Sequence, residues 1–202
     1  MSLKLRHAPT SPYVRKAMVL AQETGLAPRI ELVPTDVWSA DTDIQTDNPL
    51  GKVPALATPD GTLCDSPLIC EYLDGLHDGR RFVPEAGPAR WRALRLEALG
   101  DGVLDAAVGT VIETLRRPAD KVWDGNVQRQ AGKIRAALDG LEREAAGFGA
   151  LEDVGEITVA CALGYLDFRL PELAWREGRP ALAAWYETVA KRPSMTATAP
   201  GT

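Results

Sequence analysis

Apolar residues in this chain follow two different periods on either side of one break, HDGRRFVPEAGP, residues 77–88. Before the break the pattern switches between periods. Leu3, Lys4, Leu5, Arg6 and His7 alternate as in a half-buried strand. From Pro12 to about Thr24, the residues Val14, Ala17, Met18, Leu20 and Ala21 recur three and four apart, and Gly25 ends the run as a helix C-cap does. IELVP (30–34) reads as a second strand, and the polar stretch VWSADTDIQTDNPLGK (37–52) as loop with room for one helical turn. VPALAT and TLCD flank Asp60-Gly61, which supplies the positive φ of a tight hairpin. Ser66 at the cap and Pro67 at the first helical position then open a helix with Leu68, Ile69, Tyr72, Leu73 and Leu76 as its apolar stripe. The order is strand, helix, strand, strand, strand, helix.

After the break the pattern is helical throughout. Residues 88–116 carry Trp91, Leu94, Ala98, Val103, Leu104, Val108 and Val111, and residues 127–145 carry Ile134, Leu138, Leu141 and Ala145, both as amphipathic faces. ITVACALGYLDFRL (157–170) is apolar or small almost all round, the mark of a helix surrounded by others, and Arg179-Pro180 opens a last helix to about Lys191. The expected organisation is an α/β domain over 1–79, a linker over 80–87 and an all-α helical bundle over 88–202.

The chain's 202 residues, 45% hydrophobic and 25% charged, suffice for such a pair of units and exclude a disordered protein. A net charge of −5 argues against nucleic acid as a partner, because phosphate binding needs surplus Lys and Arg. No apolar run is long enough for a membrane span and MSLKLRHAPTSP has no secretory core, so no membrane partner and a cytoplasmic location are expected. Cys64, Cys70 and Cys161 lack CxxC spacing, so neither a disulfide framework nor a metal site is expected.

Three short stretches invite chemistry. In TSPYVRK (10–16), Ser11 stands at a strand-to-helix junction, where its hydroxyl either caps the helix or faces a reacting atom. In DSPLICEYLD (65–74), Asp65 and Ser66 stand at a second helix start, whose unpaired N–H groups suit a carboxylate. In NPLGKVPAL (48–56), Val53-Pro54 enters a strand.

These motifs, in this order and spacing over residues 3–195, resemble the cytosolic glutathione transferase superfamily, and TSPYVRK resembles the active-site turn of its serine-type bacterial members. The resemblance implies a thioredoxin-like first domain with a mixed four-stranded sheet. It implies that Ser11, with Thr10 as alternative or auxiliary donor, activates the thiol of glutathione, the co-substrate, for attack on a small hydrophobic electrophile. Glutathione would be held by Lys52 at its glycine carboxylate and by the backbone of Val53 before a cis Pro54. Ser66 and Asp65 would meet its γ-glutamyl carboxylate and ammonium. Val103, Ala107 and Val111 would line the second-substrate cleft. A homodimer and a role in detoxification are implied. Serine in place of cysteine excludes thiol–disulfide exchange at this residue. Tyr13, past the turn, reads as packing, His7 as a structural residue at the strand end, and Trp38 as a lid residue or a surface anchor.

Two departures from the family pattern stand out. Asp65 replaces a longer Glu or Gln, which leaves open a glutathione-transferase-like binding protein without catalysis; a glutathione-dependent isomerase or dehalogenase is the other alternative. Thr158 is followed three residues later by Cys161, so the reciprocal cap of the central helix is expected to be half-formed.

Overall fold

The computed structural model describes residues 3–200. The chain divides into two compact units, one made of the residues up to Glu85 together with those from Pro193 on, the other of Ala86–Arg192.

The first unit is thioredoxin-like. Its strands are β1 (Leu3–His7), β2 (Ile30–Pro34), β3 (Ala55–Thr58) and β4 (Gly61–Leu63), in the order β2-β1-β3-β4. β1 runs parallel to β2 and antiparallel to β3, and β3 antiparallel to β4, so the sheet is mixed. Leu3 and Leu5 are buried and Lys4 is exposed, as the alternation requires. α1 (Pro12–Glu23) starts at Ser11 and ends in a Schellman motif, with Leu26 N–H donating to Ala21 O at 2.8 Å across a left-handed Gly25 of φ 73°. α2 is Ser66–Asp74, and the short α7 (Pro193–Ala197) packs beside α1.

Two local expectations shift by one residue. Thr58 pairs with Gly61, so Pro59 and Asp60 form the hairpin turn, and the positive φ falls on Gly61 as it opens β4. The cap of α2 is Asp65, whose carboxylate accepts from Ser66 N–H; Ser66 is already the first helical residue and Pro67 the second. Leu68 drops out of the apolar stripe, 47% exposed, leaving Ile69, Cys70 and Leu73 as the buried face.

The second unit is all helical: α3 (Gly87–Leu115), α4 (Asp124–Glu144), α5 (Val154–Arg169) and α6 (Pro180–Val189). α5 packs along α3 at very short range. A Cβ added at Gly155 would lie 2.4 Å from Ala93 O and 2.5 Å from Leu96 Cβ, which is why the position takes glycine. Trp91, expected on the buried face of α3, is 70% exposed.

The cap of α5 also corrects the sequence reading. The helix begins at Val154, one turn before Thr158, and Asp153 Oδ1 accepts from Glu156 N–H at 2.9 Å. Glu156 in turn accepts from Glu152 N–H at 2.8 Å and Gly149 N–H at 2.9 Å, and Arg92 from α3 donates to it at 3.0 Å. The helix start is therefore capped from both sides, Asp153 on Glu156 N–H and Glu156 on the N–H groups just before the cap, and Thr158 is an interior residue whose hydroxyl donates to Val154 O.

Candidate functional site

Strand register gathers the three chemical motifs at one end of the sheet. Arg6 lies opposite Ala55, so the C-terminal end of β1 stands beside the N-terminal end of β3. Leu56 lies opposite Leu63, so the C-terminal end of β4 stands beside that same end of β3. The Thr10-Ser11 turn after β1, the Val53-Pro54 bond before β3 and the Asp65-Ser66 junction after β4 all emerge there. Both helices that follow, α1 and α2, therefore present their N-termini, with unpaired N–H groups and partial positive charge, to the same region.

Ser11 is half-buried and extended at φ −77°, ψ 119°. Its backbone N–H donates to Ala8 O at 3.0 Å and its carbonyl accepts from Arg15 N–H at 3.1 Å. Its Oγ accepts from Val14 N–H at 3.3 Å, a long bond. A hydroxyl has two lone pairs and one proton, so the cap uses a lone pair and leaves the proton for an outside acceptor. Thr10 beside it is exposed.

The Val53–Pro54 bond is cis, with Pro54 buried, Val53 half-buried and Lys52 exposed. The loop before it is braced by Asn48, the first residue of NPLGKVPAL, whose role has no local mark in the sequence. Asn48 is 3% exposed; its Nδ2 donates to Lys52 O at 2.9 Å and its Oδ1 accepts from Leu50 N–H at 3.0 Å. Next to it, Asp47 accepts from Arg6 Nε at 2.6 Å, and Asp43 from Arg6 Nη1 at 2.9 Å. The hydrogen bonds to Asp43 and Asp47 hold the Arg6 guanidinium above its ordinary pKa. The brace thus runs from β1 through Asp47 and Asn48 to Lys52. Asn-Pro was the signal for a turn; the partner four residues on was not legible.

At the third junction Asp65 is exposed and Ser66 fully buried. Ser66 Oγ has no hydrogen-bond partner among the described residues. A buried hydroxyl left unpaired costs about 1–3 kcal/mol, so a donor held there at a helix N-terminus is suited to an oxyanion ligand. The exposed Asp65 carboxylate beside it can meet a cation.

Burial holds the His7 imidazole below its usual pKa. Of the three residues assigned to a second-substrate cleft, Val103 and Ala107 on α3 are buried and Val111 is half-buried. Trp38 is exposed and its N–H donates to Asp36 Oδ1 at 2.9 Å. Among the described residues no cluster of three His, Cys, Asp or Glu is placed to hold a metal ion, and no helix is long and apolar enough to cross a membrane.

A thioredoxin-like unit with cis-proline and two helix N-termini at one sheet end, followed by a helical unit, matches two family models. Residues 5–81 match the glutathione S-transferase N-terminal domain and residues 124–188 its C-terminal domain. The chain belongs to the glutathione S-transferase family. It is 47% identical to a glutathione transferase family member from Pseudomonas fluorescens Pf-5 solved with bound glutathione, with a TM-score of 0.93 and all of both chains covered. A family member from the same strain solved with bound S-(propanoic acid)-glutathione gives 47% identity and a TM-score of 0.88, covering 100% of this chain and 98% of that one. The chain is also 36% identical to the uncharacterized GST-like protein YibF of Escherichia coli (strain K12), with 98% of each covered.

Proposed function

We propose that this chain is a serine-type glutathione transferase in which Ser11 donates its hydroxyl proton to the sulfur of glutathione and stabilises the thiolate. The observation that carries this reading is the division of labour at Ser11: one lone pair accepts from Val14 N–H, and the proton has no acceptor among the described residues. A thiol of pKa ~8.5 is only a few per cent ionised at neutral pH. Lowering it by two units requires ~2.7 kcal/mol of preference for the thiolate. One charge-assisted hydrogen bond gives ~1.5–3 kcal/mol. The N-terminus of α1 adds ~0.3–1 kcal/mol. The two together suffice, and no general base is required.

The cysteinyl backbone of glutathione pairs with Val53, as an added strand does. Its γ-glutamyl carboxylate takes the Ser66 hydroxyl and the N-terminus of α2, and its ammonium meets Asp65. Lys52 meets the glycine carboxylate. The thiolate then forms the carbon–sulfur bond to the electrophile. The S-(propanoic acid)-glutathione in the Pseudomonas structure makes acrylate one electrophile to try; its addition would put the sulfur on the β-carbon and a proton on the α-carbon, and the ligand's name leaves the linkage open.

Retention on immobilised glutathione, followed by turnover with a generic aromatic electrophile and with acrylate, tests the reading. Retention with turnover of either supports it. Retention without turnover leaves a binding protein, and failure of both refutes it.

A further inference from the structure

Resting on that reading of Ser11, we propose that Arg15 is a positioning residue for the Ser11 hydroxyl, and that α7 is the strap it grips. Arg15 sits one turn into α1, its backbone N–H bonded to the Ser11 carbonyl. Its side chain turns to the other end of the chain, where Nη2 donates to Met195 O at 3.1 Å. The Nε of the same guanidinium is buried and has no partner among the described residues. A half-buried charged group, its Nε turned from water, thus holds a neutral carbonyl, a placement that surface packing alone does not call for.

A second grip lies further along the helix, where the Ser194 hydroxyl meets Glu23 Oε1. Ser194 and Met195 are 4% and 1% exposed, so the strap is seated rather than loosely apposed. Positions 15 and 23 are separated by about 12 Å of helix. Polar contacts at both places restrain sliding and rotation of α1 better than its apolar face does, since apolar contacts carry little direction. The Ser11 hydroxyl sits at the end of that helix. A donor must hold its geometry within about 0.5 Å to be effective on a developing or resident anion. Residues of α7 would thereby belong to the apparatus that keeps the sulfur ionised.

The experiment uses the full chain as wild type, Arg15→Met, Arg15→Lys and Ser194→Ala. Thiolate absorbance of bound glutathione is titrated against pH, and kcat/KM is measured over the same range, with thermal unfolding of each variant alongside. Arg15→Met should raise the apparent thiol pKa by about one unit and lower kcat/KM for the electrophile, at saturating glutathione, about fivefold at pH 6.5. The deficit should vanish above the new pKa, with KM for glutathione nearly unchanged. Arg15→Lys, which keeps charge and a donor, should recover most of the loss, and Ser194→Ala should shift the profile less and in the same direction. An Arg15→Met profile that overlays wild type, or a loss equal at every pH that follows Tm alone, overturns the inference. A wild type that binds glutathione without a depressed thiol pKa refutes the Ser11 reading, and this inference falls with it.

Discussion

Replacing Ser11 by Ala removes a helix cap and, on the proposed mechanism, the donor to the sulfur, and the two losses differ in size and in pH dependence. The cap bond from Val14 N–H is 3.3 Å long. Its loss belongs at the low end of the usual range, ~0.5–1 kcal/mol. That corresponds to a fall in Tm of about 1–4 °C for a chain of this size. The donor is worth ~1.5–3 kcal/mol in stabilising the thiolate. At about 1.4 kcal/mol per pKa unit, and with the wild-type thiol half-ionised at pH 6.5, kcat/KM for the electrophile there should fall roughly 7- to 80-fold. Raising the pH ionises the thiol without help, so the deficit should shrink steadily and nearly close above the solution pKa of ~8.5. The assay is kcat/KM for the electrophile at saturating glutathione against pH, with thiolate absorbance of the bound tripeptide as a direct reading of ionisation. Glutathione affinity at pH 6.5 should change little, because the proposed mechanism puts most of its contacts at Val53 and at Asp65-Ser66. A pH-independent loss accompanied by loss of fold would mean that Ser11 is only a cap. Full activity in Ser11→Ala, with loss in Thr10→Val, would move the donor one residue.

Three further outcomes are expected. Asn48→Ala frees the carbonyl of Lys52 and the N–H of Leu50, both satisfied by this side chain at 2.9 and 3.0 Å, so KM for glutathione should rise about tenfold, the equivalent of ~1.4 kcal/mol, with kcat nearly unchanged; steady-state kinetics reads it. Gly155→Ala brings a methyl to 2.4 Å from the Ala93 carbonyl, and despite the ~1 kcal/mol helix-propensity advantage of Ala, urea unfolding should show ~1–3 kcal/mol of destabilisation. His7→Gln concerns pH: burial lowers the folded pKa of His7, so the unfolded chain binds a proton that the folded one refuses. Stability is then complete above about pH 6.5 and falls as pH drops through the window below it; the substitution should flatten that slope in denaturation measured from pH 7.5 to 5.

The alternation at Leu3, Lys4 and Leu5 and the three-and-four spacing from Val14 to Ala21 announced their elements because burial on one face is a local property of sequence. Exposure of a particular apolar residue is not. Leu68 and Trp91 sit within good helical patterns yet face outward, since the width of the buried stripe depends on what packs against the helix. Helix caps fell between these cases. The cap of α2 came out one residue early, at Asp65, because both Asp and Ser are good caps and only the backbone angles choose between them. The cap of α5 was readable in principle: DVGE places Asp and Glu three apart just before an apolar run, which is the capping-box spacing.

The site divides along the same line. Ser11, Pro54, Asp65 and Ser66 could be picked out because each sits at a strand–helix or loop–strand junction that sequence marks with Pro. Their convergence at one sheet end follows from the antiparallel register of β3 with both β1 and β4, which the hairpin and the strand order together determine. The bracing residues could not be found that way. Arg6 and Asp47 are 41 positions apart, and nothing local in either predicts the other. Asp74 shows the same limit within the expected linker. Its buried carboxylate accepts from Phe82 N–H and Val83 N–H, both at 2.9 Å, and from His77 Nε2 at 3.1 Å. A segment that composition marks as a flexible connector is thereby fastened to the end of α2, with Phe82 and Val83 buried. Since His77 Nδ1 accepts from Gly79 N–H at 3.0 Å, the proton of a neutral His77 must lie on Nε2. With its proton there the imidazole donates to Asp74, so this fastening is a hydrogen bond that needs no cation.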